Sequence, residues 1–298
     1  MKKSAITRII IYSLLAVILV SVLGAALTIH MGGGWRQVAR ILDDDFDDDL
    51  DEVREAQSFV TAQQSQELSF LPQEVREIQI QWVAGDLTVV TGDVDRIEVK
   101  ESESDTPMVY SLREGELEIR FRKGLTKNLT DFSGKKEPKD LTITVPKNWY
   151  GQEIEINSVS TDAEIRDMTL ETFEYQGMSG NCTIQNCSIR EMDVDGMSLS
   201  VNMQGEVREL DIDGTSVSCE FDLINAPREI EMDGVSCSLE LILPENAGFS
   251  VDMHGLSKNL DTDFAVTTRN GRTVAGDGSC LIDVDGISGN VKILKAAE

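Results

Sequence analysis

Residues 192–201 read MDVDGMSLSV, and variants of this segment recur throughout the second half of the chain. In each copy a Gly opens a Gly-x-Ser tripeptide, and the steps between successive copies are 19, 18, 20, 21 and 31 residues. A nearly constant step of this size is typical of repeat proteins, in which each copy forms one structural unit. The glycines are Gly177, Gly196, Gly214, Gly234, Gly255 and Gly286.

Apolar and polar residues alternate on both sides of each glycine, which is the pattern of a β-strand. Around Gly196 the apolar positions are Met192 and Val194 before it, and Met197, Val201 and Met203 after it. Their parity changes at the glycine, so a bend is needed there if all of them are to face inward. We therefore predict two short strands and a corner per repeat. Stacked repeats then bury one another's apolar sides in an all-β fold, a β-solenoid with rungs of about 19 residues.

Two further segments fit this frame. The 31-residue step before Gly286 contains Asn270-Gly271, a strong tight-turn signal, and predicts a hairpin in that rung. Residues 77–93, EIQIQWVAGDLTVVTGD, align Gly85-Asp86-Leu87 with Gly180-Asn181-Cys182. The preceding part of the chain is therefore predicted to be a degenerate start of the same solenoid.

A stretch of 21 uncharged residues, 9–29, precedes all of this. As a helix it would span about 30 Å, the thickness of the hydrocarbon core of a membrane. Lys2, Lys3 and Arg8 on its short side predict a cytoplasmic N-terminus, so that the bulk of the chain is extracytoplasmic. The alternative is a signal peptide cleaved near residues 24–26. The apolar part of a signal peptide usually has only about 7–15 residues, which favours an uncleaved anchor.

The predicted organisation has four parts. Residues 1–30 form a cytoplasmic tip and transmembrane anchor, and residues 31–73 an acidic juxtamembrane neck. Residues 74–150 form an N-terminal β module with a basic loop, 122–140, and residues 151–298 form the repeat solenoid.

The charge balance restricts the class of ligand. The chain has 53 acidic and 27 basic residues, a formal net charge of −26. Such a charge repels phosphates, so nucleic acid is excluded as a partner. With only two His, most His-based catalysis and His-rich metal sites are also disfavoured.

Acidic residues occupy the positions three and one before most of the glycines. Stacked rungs would line them up in columns about 5 Å apart, where like charges repel. Either solvent and salt screen the columns, which then form a solvated face that resists aggregation, or cations bind there; Ca²⁺ suits oxygen ligands best. No other cofactor is predicted. The candidate cation ligands are Asp193, Asp195, Asp211, Asp213, Asp233, Asp283 and Asp285.

Two other residue sets have a structural interpretation. The Ser of each Gly-x-Ser predicts a column of small polar corner residues, although Ser257, His254 and Asp252 together contain the residue types of a catalytic triad. Cys182, Cys219 and Cys237 are predicted to be small core residues, and no spacing indicates a disulfide. The remaining cysteines are Cys187 and Cys280.

The basic loop 122–140 is the only clearly basic stretch outside the membrane flank. It is either a mobile surface loop or a docking site for an anionic cell-wall polymer, a lipid or an acidic partner. The candidate interaction residues are Lys123, Lys127, Lys135 and Lys136.

The anchor, the opening I-x-I-x-W-x-A-G-D-L-x-V at residues 78–89, and the repeated V-D-G-x-S rungs resemble the bacterial "putative adhesin" group. That group includes LiaG-like membrane proteins built from repeated β-strands. The resemblance covers roughly residues 75–294 and implies a membrane-anchored β-solenoid ectodomain of a Gram-positive-type bacterium. It also implies a link to envelope stress or surface interactions, and supplies no catalytic residues.

These observations lead to a main hypothesis and two alternatives. The main hypothesis is a non-enzymatic, single-pass membrane protein that presents its solenoid to a protein or cell-wall partner. The first alternative is a carbohydrate-active β-helix enzyme acting on a surface polysaccharide, although the regular spacing leaves little room for the loops that build a cleft. The second alternative is self-association through the ends of the rod.

Overall fold

The computed structural model describes residues 60–61, 67–102, 107–121, 138–149 and 151–296. The predicted anchor, residues 9–29, and most of the predicted neck lie outside these ranges. Within them, no helix has both the length and the apolar character needed to cross a membrane. Apart from one 3-10 turn, Pro72–Glu74, the regular structure of these residues is β-strand.

Fourteen strands of the described residues join one sheet. They are β1 (Val60–Thr61), β2 (Glu67–Phe70), β3 (Glu77–Gly92), β4 (Ile97–Glu101), β5 (Val109–Arg113), β6 (Glu116–Arg120), β7 (Leu141–Pro146), β8 (Glu153–Arg166), β9 (Thr169–Leu223), β10 (Glu229–Leu243), β11 (Phe249–Thr262), β12 (Val266–Arg269), β13 (Arg272–Ala275) and β14 (Cys280–Lys295).

Successive turns of the chain lie parallel, displaced by one sequence repeat. Ile154 of β8 lies opposite Phe173 of β9, and Leu210 of β9 lies opposite Ile230 of β10. Because the displacement equals the sequence period, equivalent residues stack on one another, as the predicted β-solenoid requires. Phe173 and Ile230 are fully buried, and burying one such side chain contributes about 1.5–3 kcal/mol.

Each turn has three inward-facing segments, whereas the sequence analysis predicted two strands. In the turn that contains Gly196, these segments contain Val194, Val201 and Val207, all of which are buried. In the preceding turn, the third segment follows a second change of parity, between Ile184 and Cys187, whereas in the turn of Gly196 the parity changes only after Val207. Strand β9 runs through these corners as one continuous strand of 55 residues, because its backbone pairing persists while its direction changes.

The residue directly after the corner glycine is exposed in four rungs and half-buried in two, at Thr215 and Val235, so its predicted inward position was wrong. Met178 is 55% exposed, Met197 45%, Ile287 47% and Leu256 90%. The inward positions resume three residues after the glycine, for example at Val217 and Cys237. The chain turns at the glycine, and the next side chain therefore projects from the outside of the corner.

The last rungs are not stacked in chain order. Strand β14 lies between β10 and β11 and is parallel to both. The predicted hairpin at Asn270-Gly271 exists as β12 and β13, and β13 pairs antiparallel with the start of β11. This excursion carries the chain past β11 and back to the open edge of β10.

Composition explains why β14 takes the inner place. Lys258 of β11 occupies the inward position that Gly289 fills in β14 and Cys237 in β10. A lysine is tolerated there only in a terminal rung, where its Nζ remains exposed and donates a hydrogen bond to the carbonyl of Met253 at 2.8 Å. The next inward positions of β14, Val291 and Ile293, are apolar and fully buried.

The other end of the solenoid is closed by separate strands. β6 and β7 pair parallel with the first and second parts of β3, and the stretch 122–140 connects them. Beyond them, β5 pairs with β6 and β4 with β7, both antiparallel. β2 then pairs with β4 and β1 with β5, so two strands within the predicted neck range belong to the sheet. Leu87 lies opposite Ala163, and Ala163 opposite Cys182, which confirms the predicted alignment of β3 with the later repeats.

Candidate functional site

The residues that follow the corner position form a column that is apolar except at Thr215, which we call the corner ladder. Its four most exposed members are Met178, Met197, Ile287 and Leu256. Stacked corners bring Gly234 opposite Gly214 on one side and opposite Gly286 on the other, with the residue after each glycine outside the corner. The stripe therefore crosses every repeat rung at the same place. In spatial order it consists of Val159, Met178, Met197, Thr215, Val235, Ile287 and Leu256.

The corner needs glycine because the backbones of adjacent rungs approach closely there. A Cβ on Gly196 would lie 2.4 Å from the carbonyl oxygen of Gly177, and a Cβ on Gly214 would lie 2.5 Å from that of Gly196. Both distances are far below van der Waals contact. The close stacking of glycines thus positions the ladder residue that follows each of them.

Two columns of mostly acidic residues, which we call the acidic ladder, flank the corner ladder. Parallel register places Asp211 opposite Glu231, and Asp213 opposite Asp233. The inner column contains Glu174, Asp193, Asp211, Glu231, Asp283 and Asp252, and the outer column contains Gln176, Asp195, Asp213, Asp233, Asp285 and His254. The predicted stacking of carboxylates is therefore present.

The stacking raises the pKa values of these carboxylates. Burial against the neighbouring rungs, followed by repulsion from Asp213 and Glu231, raises the pKa of Asp211 to about 7. Burial, followed by repulsion from Asp195, raises the pKa of Asp213 to about 6. The pKa values of Asp193, Asp195 and Glu174 are also raised, with burial as the largest cause. Asp211 is open to solvent at its outer edge, so salt screens part of the repulsion.

A basic side chain, that of Arg272, approaches the acidic ladder at its β11 end. Arg272 of the hairpin lies 3.2 Å from Asp252 and 3.4 Å from Asp283. In the middle, the Oδ1 atom of Asp213 is buried and has no hydrogen-bond partner among the described residues. The repulsion is thus neutralised at one end and concentrated around Asp211 and Asp213.

The structure brings the predicted cation ligands into the two columns but does not gather them into a cluster. Among the described residues, no group of three or more His, Cys, Asp or Glu side chains is arranged to hold a metal ion. Ca²⁺ binding by the acidic ladder stays a prediction.

The residues of the hypothetical triad do not form one. His254 Nε2 lies 3.4 Å from Asp252 Oδ1, but no hydrogen bond joins Ser257 to either residue within the described chain. Ser257 lies beyond the corner glycine and is exposed, as Ser198, Ser216 and Ser236 are. The serine column therefore has the predicted place at a corner, beside the corner ladder.

All five cysteines are buried free thiols, including the two whose position the sequence left open. Burial raises the pKa of the Cys237 thiol to about 11 and that of Cys280 to about 12. Thiols in this state are poor nucleophiles, which agrees with a role in packing.

The candidate interaction residues Lys123, Lys127, Lys135 and Lys136 lie outside the described residues. The end of the basic loop is described, and Lys139 is buried there rather than available to a partner. Its Nζ pairs with Glu101 and donates to the carbonyl of Phe121, and it lies 4.1 Å from the centre of the Phe121 ring.

Fold and surface together define a parallel β-solenoid repeat protein with two exposed ladders. The family model of Toastrack DUF4097 matches residues 75–294 of this chain. The chain belongs to this family, whose model covers both the degenerate start and the repeats.

Three solved structures are similar over most of the chain. A "putative adhesin" from Bacteroides fragilis is 14% identical, with a TM-score of 0.43, over 81% of this chain and 98% of that one. A "putative cell adhesion protein" from Clostridium sporogenes is 14% identical, with a TM-score of 0.35, over 77% and 98%. A "putative lipid binding protein" from Parabacteroides distasonis is 15% identical, with a TM-score of 0.36, over 78% and 95%.

A comparison with curated proteins found no match. Identities as low as those of the three structures do not carry over a ligand or a partner, because one fold serves many functions. The function of this chain has to be argued from its own surface.

Proposed function

We propose that this chain is a non-catalytic, membrane-anchored protein that presents its solenoid outside the cytoplasm and binds a protein or cell-envelope partner along the corner ladder. The observation that carries the proposal is the exposure of aligned large apolar side chains at one corner. Met178, Met197 and Ile287 are each about half exposed, and Leu256 almost completely.

Because these apolar side chains are in contact with water, a partner that covers them gains free energy of binding. Full burial of one Met, Ile or Leu contributes about 1.5–3 kcal/mol, so a partner that covers several rungs gains a substantial apolar contact. Aligned exposed apolar residues with a polar rim are typical of interaction surfaces. Met is well suited to such a surface, because its flexible side chain adapts to partners of different shape.

The acidic ladder restricts the chemistry of the partner. Asp195, Asp213 and Asp233 lie directly beside the apolar stripe, in register with it. A partner that covers the stripe therefore needs Lys or Arg side chains, or bound cations, at its rim. The same carboxylates repel anionic polymers and lipid headgroups, which favours a protein partner with a basic rim.

The proposed placement in the cell rests on the N-terminal sequence. Residues 9–29 anchor the chain with its N-terminus in the cytoplasm, so that the solenoid is displayed outside the cytoplasm.

Site-specific photo-crosslinking in intact cells tests the binding surface. A benzoylphenylalanine replaces Met197 in the full chain, and in a control it replaces Glu220, an exposed residue outside the ladder. We expect a crosslinked protein from position 197 and none from 220. The same product should form at position 287 and disappear there in the Met178→Ser/Met197→Ser variant. Equal products from 197 and 220, or none from 197, would contradict the proposed surface.

Thiol labelling tests the placement. All five native cysteines are buried, so the Glu220→Cys variant has one exposed thiol among the described residues, whereas the wild-type chain has none there. We expect a membrane-impermeant maleimide to label this variant in intact cells, with the wild-type chain as the unlabelled control. Labelling only after lysis would show that the solenoid is cytoplasmic.

A further inference from the structure

A second surface lies at a different corner of the solenoid, where the second inward segment of each turn meets the third. Here a groove of about 780 Å³ runs across the rungs from Asp167 past Gln204 and Asp222 to Pro244 and Ala296. It crosses six successive rungs, which at the spacing of adjacent strands corresponds to about 24 Å.

Small residues create the depth of the groove. The inward column below it contains Met168, Cys187, Gly205 and Leu223, so the middle of the column has almost no side chain. A Cβ on Gly205 would lie 2.2 Å from the carbonyl oxygen of Cys187. The floor is therefore bare backbone, while Met168 and Leu223 remain on either side of it.

The walls carry carboxylates that are oriented by amides. Asn186 Nδ2 donates to Asp167 Oδ1 at 3.1 Å, and Asn225 Nδ2 donates to Glu206 Oε1 at 3.1 Å. Asp222 Oδ2 lies 3.4 Å from Gln204 Nε2. The second oxygen of each of these three carboxylates accepts no hydrogen bond from a described residue, and no Lys or Arg lines the groove in the described chain.

One lip of the groove is apolar. Ile224 is 70% exposed and lies beside Leu223 and Pro244. An exposed Ile next to unneutralised carboxylates combines two features that suit a ligand with both apolar and cationic groups.

We propose that this groove binds an extended peptide segment of a partner protein that carries Lys or Arg among apolar side chains. The charge of the walls excludes acidic segments, and the apolar lip favours a segment that is not purely polar. An extended chain advances about 3.4 Å per residue, so about seven residues fill the groove. The proposal does not depend on the corner ladder, which shares no residue with the groove.

The test uses the full chain in detergent micelles and a labelled heptapeptide, acetyl-KLKLKLK-amide, followed by fluorescence anisotropy. We expect saturable binding that weakens about tenfold or more in Glu206→Gln/Asp222→Asn, because two charge-assisted hydrogen bonds are lost. Ile224→Ser should weaken binding of this peptide but not of KSKSKSK. Since the side chains of Glu206 and Asp222 reach the surface, circular dichroism should show an unchanged fold in the double variant.

The matched control removes the same charge elsewhere. Glu220→Gln/Asp261→Asn neutralises two exposed carboxylates outside both the groove and the acidic ladder, and should leave the affinity within about twofold of wild type. An equal loss in this control would mean that the peptide responds to net charge alone. The proposal would be overturned by an equal loss in the control or by the absence of binding. It would also be overturned if ELELELE bound equally well or if a neutral glycan displaced the peptide.

Discussion

At the scale of single residues, the corner glycines decide how closely the rungs approach. A Cβ on Gly234 would lie 2.2 Å from the carbonyl oxygen of Gly214 and 2.4 Å from the sulfur of Cys237. Neither atom can move away freely, because one belongs to the neighbouring backbone and the other to the core. The requirement for glycine here comes from space between rungs rather than from an unusual backbone angle.

Gly234→Ala should therefore destabilise the domain by about 1–3 kcal/mol, as overpacking of a close contact does. Guanidinium unfolding followed by circular dichroism measures the change. The matched control is Ser236→Ala, two residues later and exposed, which should change stability by no more than about 0.5 kcal/mol. Equal stability of the two variants would show that the corner has room for a methyl group.

A buried ion pair closes the N-terminal end of the solenoid. Lys139 pairs with Glu101 beside Trp82, whose Nε1 donates to the Lys139 carbonyl at 2.8 Å. Glu101 also accepts a hydrogen bond from the backbone of Met108 at 3.0 Å. The pair thus joins three separate segments of the chain.

Lys139→Met should cost about 3–5 kcal/mol, because it leaves the Glu101 carboxylate buried without its cation. The double variant Lys139→Met/Glu101→Gln should recover much of this loss, since no buried charge remains. A thermodynamic cycle from chemical denaturation measures the coupling. Additive losses in the double variant would mean that the two charges do not interact.

At the scale of elements, the insertion of β14 between β10 and β11 sets which rung is internal. Ile293 is in the last strand of the sequence but has rungs on both sides and is fully buried. Leu260, in the adjacent strand β11 and opposite Val291, is only half-buried because no repeat rung covers β11 on its other side.

Ile293→Ala should destabilise the domain by about 2–5 kcal/mol, the usual range for a fully buried large-to-small change. Leu260→Ala is the matched control and should cost less, because the site is partly open and creates no closed cavity. Thermal unfolding of both variants distinguishes the two arrangements. Stacking in chain order would place β14 at the end and reverse the order of the two losses.

At the scale of the whole molecule, negative charge opposes the compact state. The net charge is −26, and the acidic ladder concentrates part of it in columns that run across the rungs. The folded pKa values of Asp211 and Asp213, about 7 and about 6, lie above the ordinary value of 3.8. The folded state therefore binds protons more tightly than the unfolded state at these sites.

The sign of the pH dependence follows. The stabilising contribution of protonation is present at low pH and is lost as the pH rises from about 4 through about 7. We expect the melting temperature to be higher at about pH 5 than at about pH 8, with a smaller difference at about 1 M salt because screening weakens the repulsion.

The Asp211→Asn/Asp213→Asn variant should be more stable than wild type at about pH 8 and should show a flatter pH profile. Asp261→Asn, an exposed residue of the terminal rung, serves as the control and should keep the wild-type profile. An unchanged profile in the ladder variant would show that other groups cause the pH dependence.

Local sequence patterns were sufficient to predict the type of fold. The repeat step and the alternation around Gly196 predicted stacked parallel rungs, and Asn270-Gly271 predicted the hairpin, because a strand's face and a tight turn depend on a few neighbouring residues. The alignment of Gly85 with Gly180 was correct for the same reason. The acidic columns also followed directly, since the register equals the period.

Only the tertiary structure decided which rungs are neighbours and which apolar residues remain outside. The position of β14 depends on competition between β11 and β14 for the edge of β10, and only Lys258 hinted at the outcome. The exposure of Met197 depends on the angle of the corner, which an alternating pattern does not encode. The groove was missed for a related reason: it arises where Gly205 and Cys187 from different turns stack, and such a gap exists only after distant segments have packed.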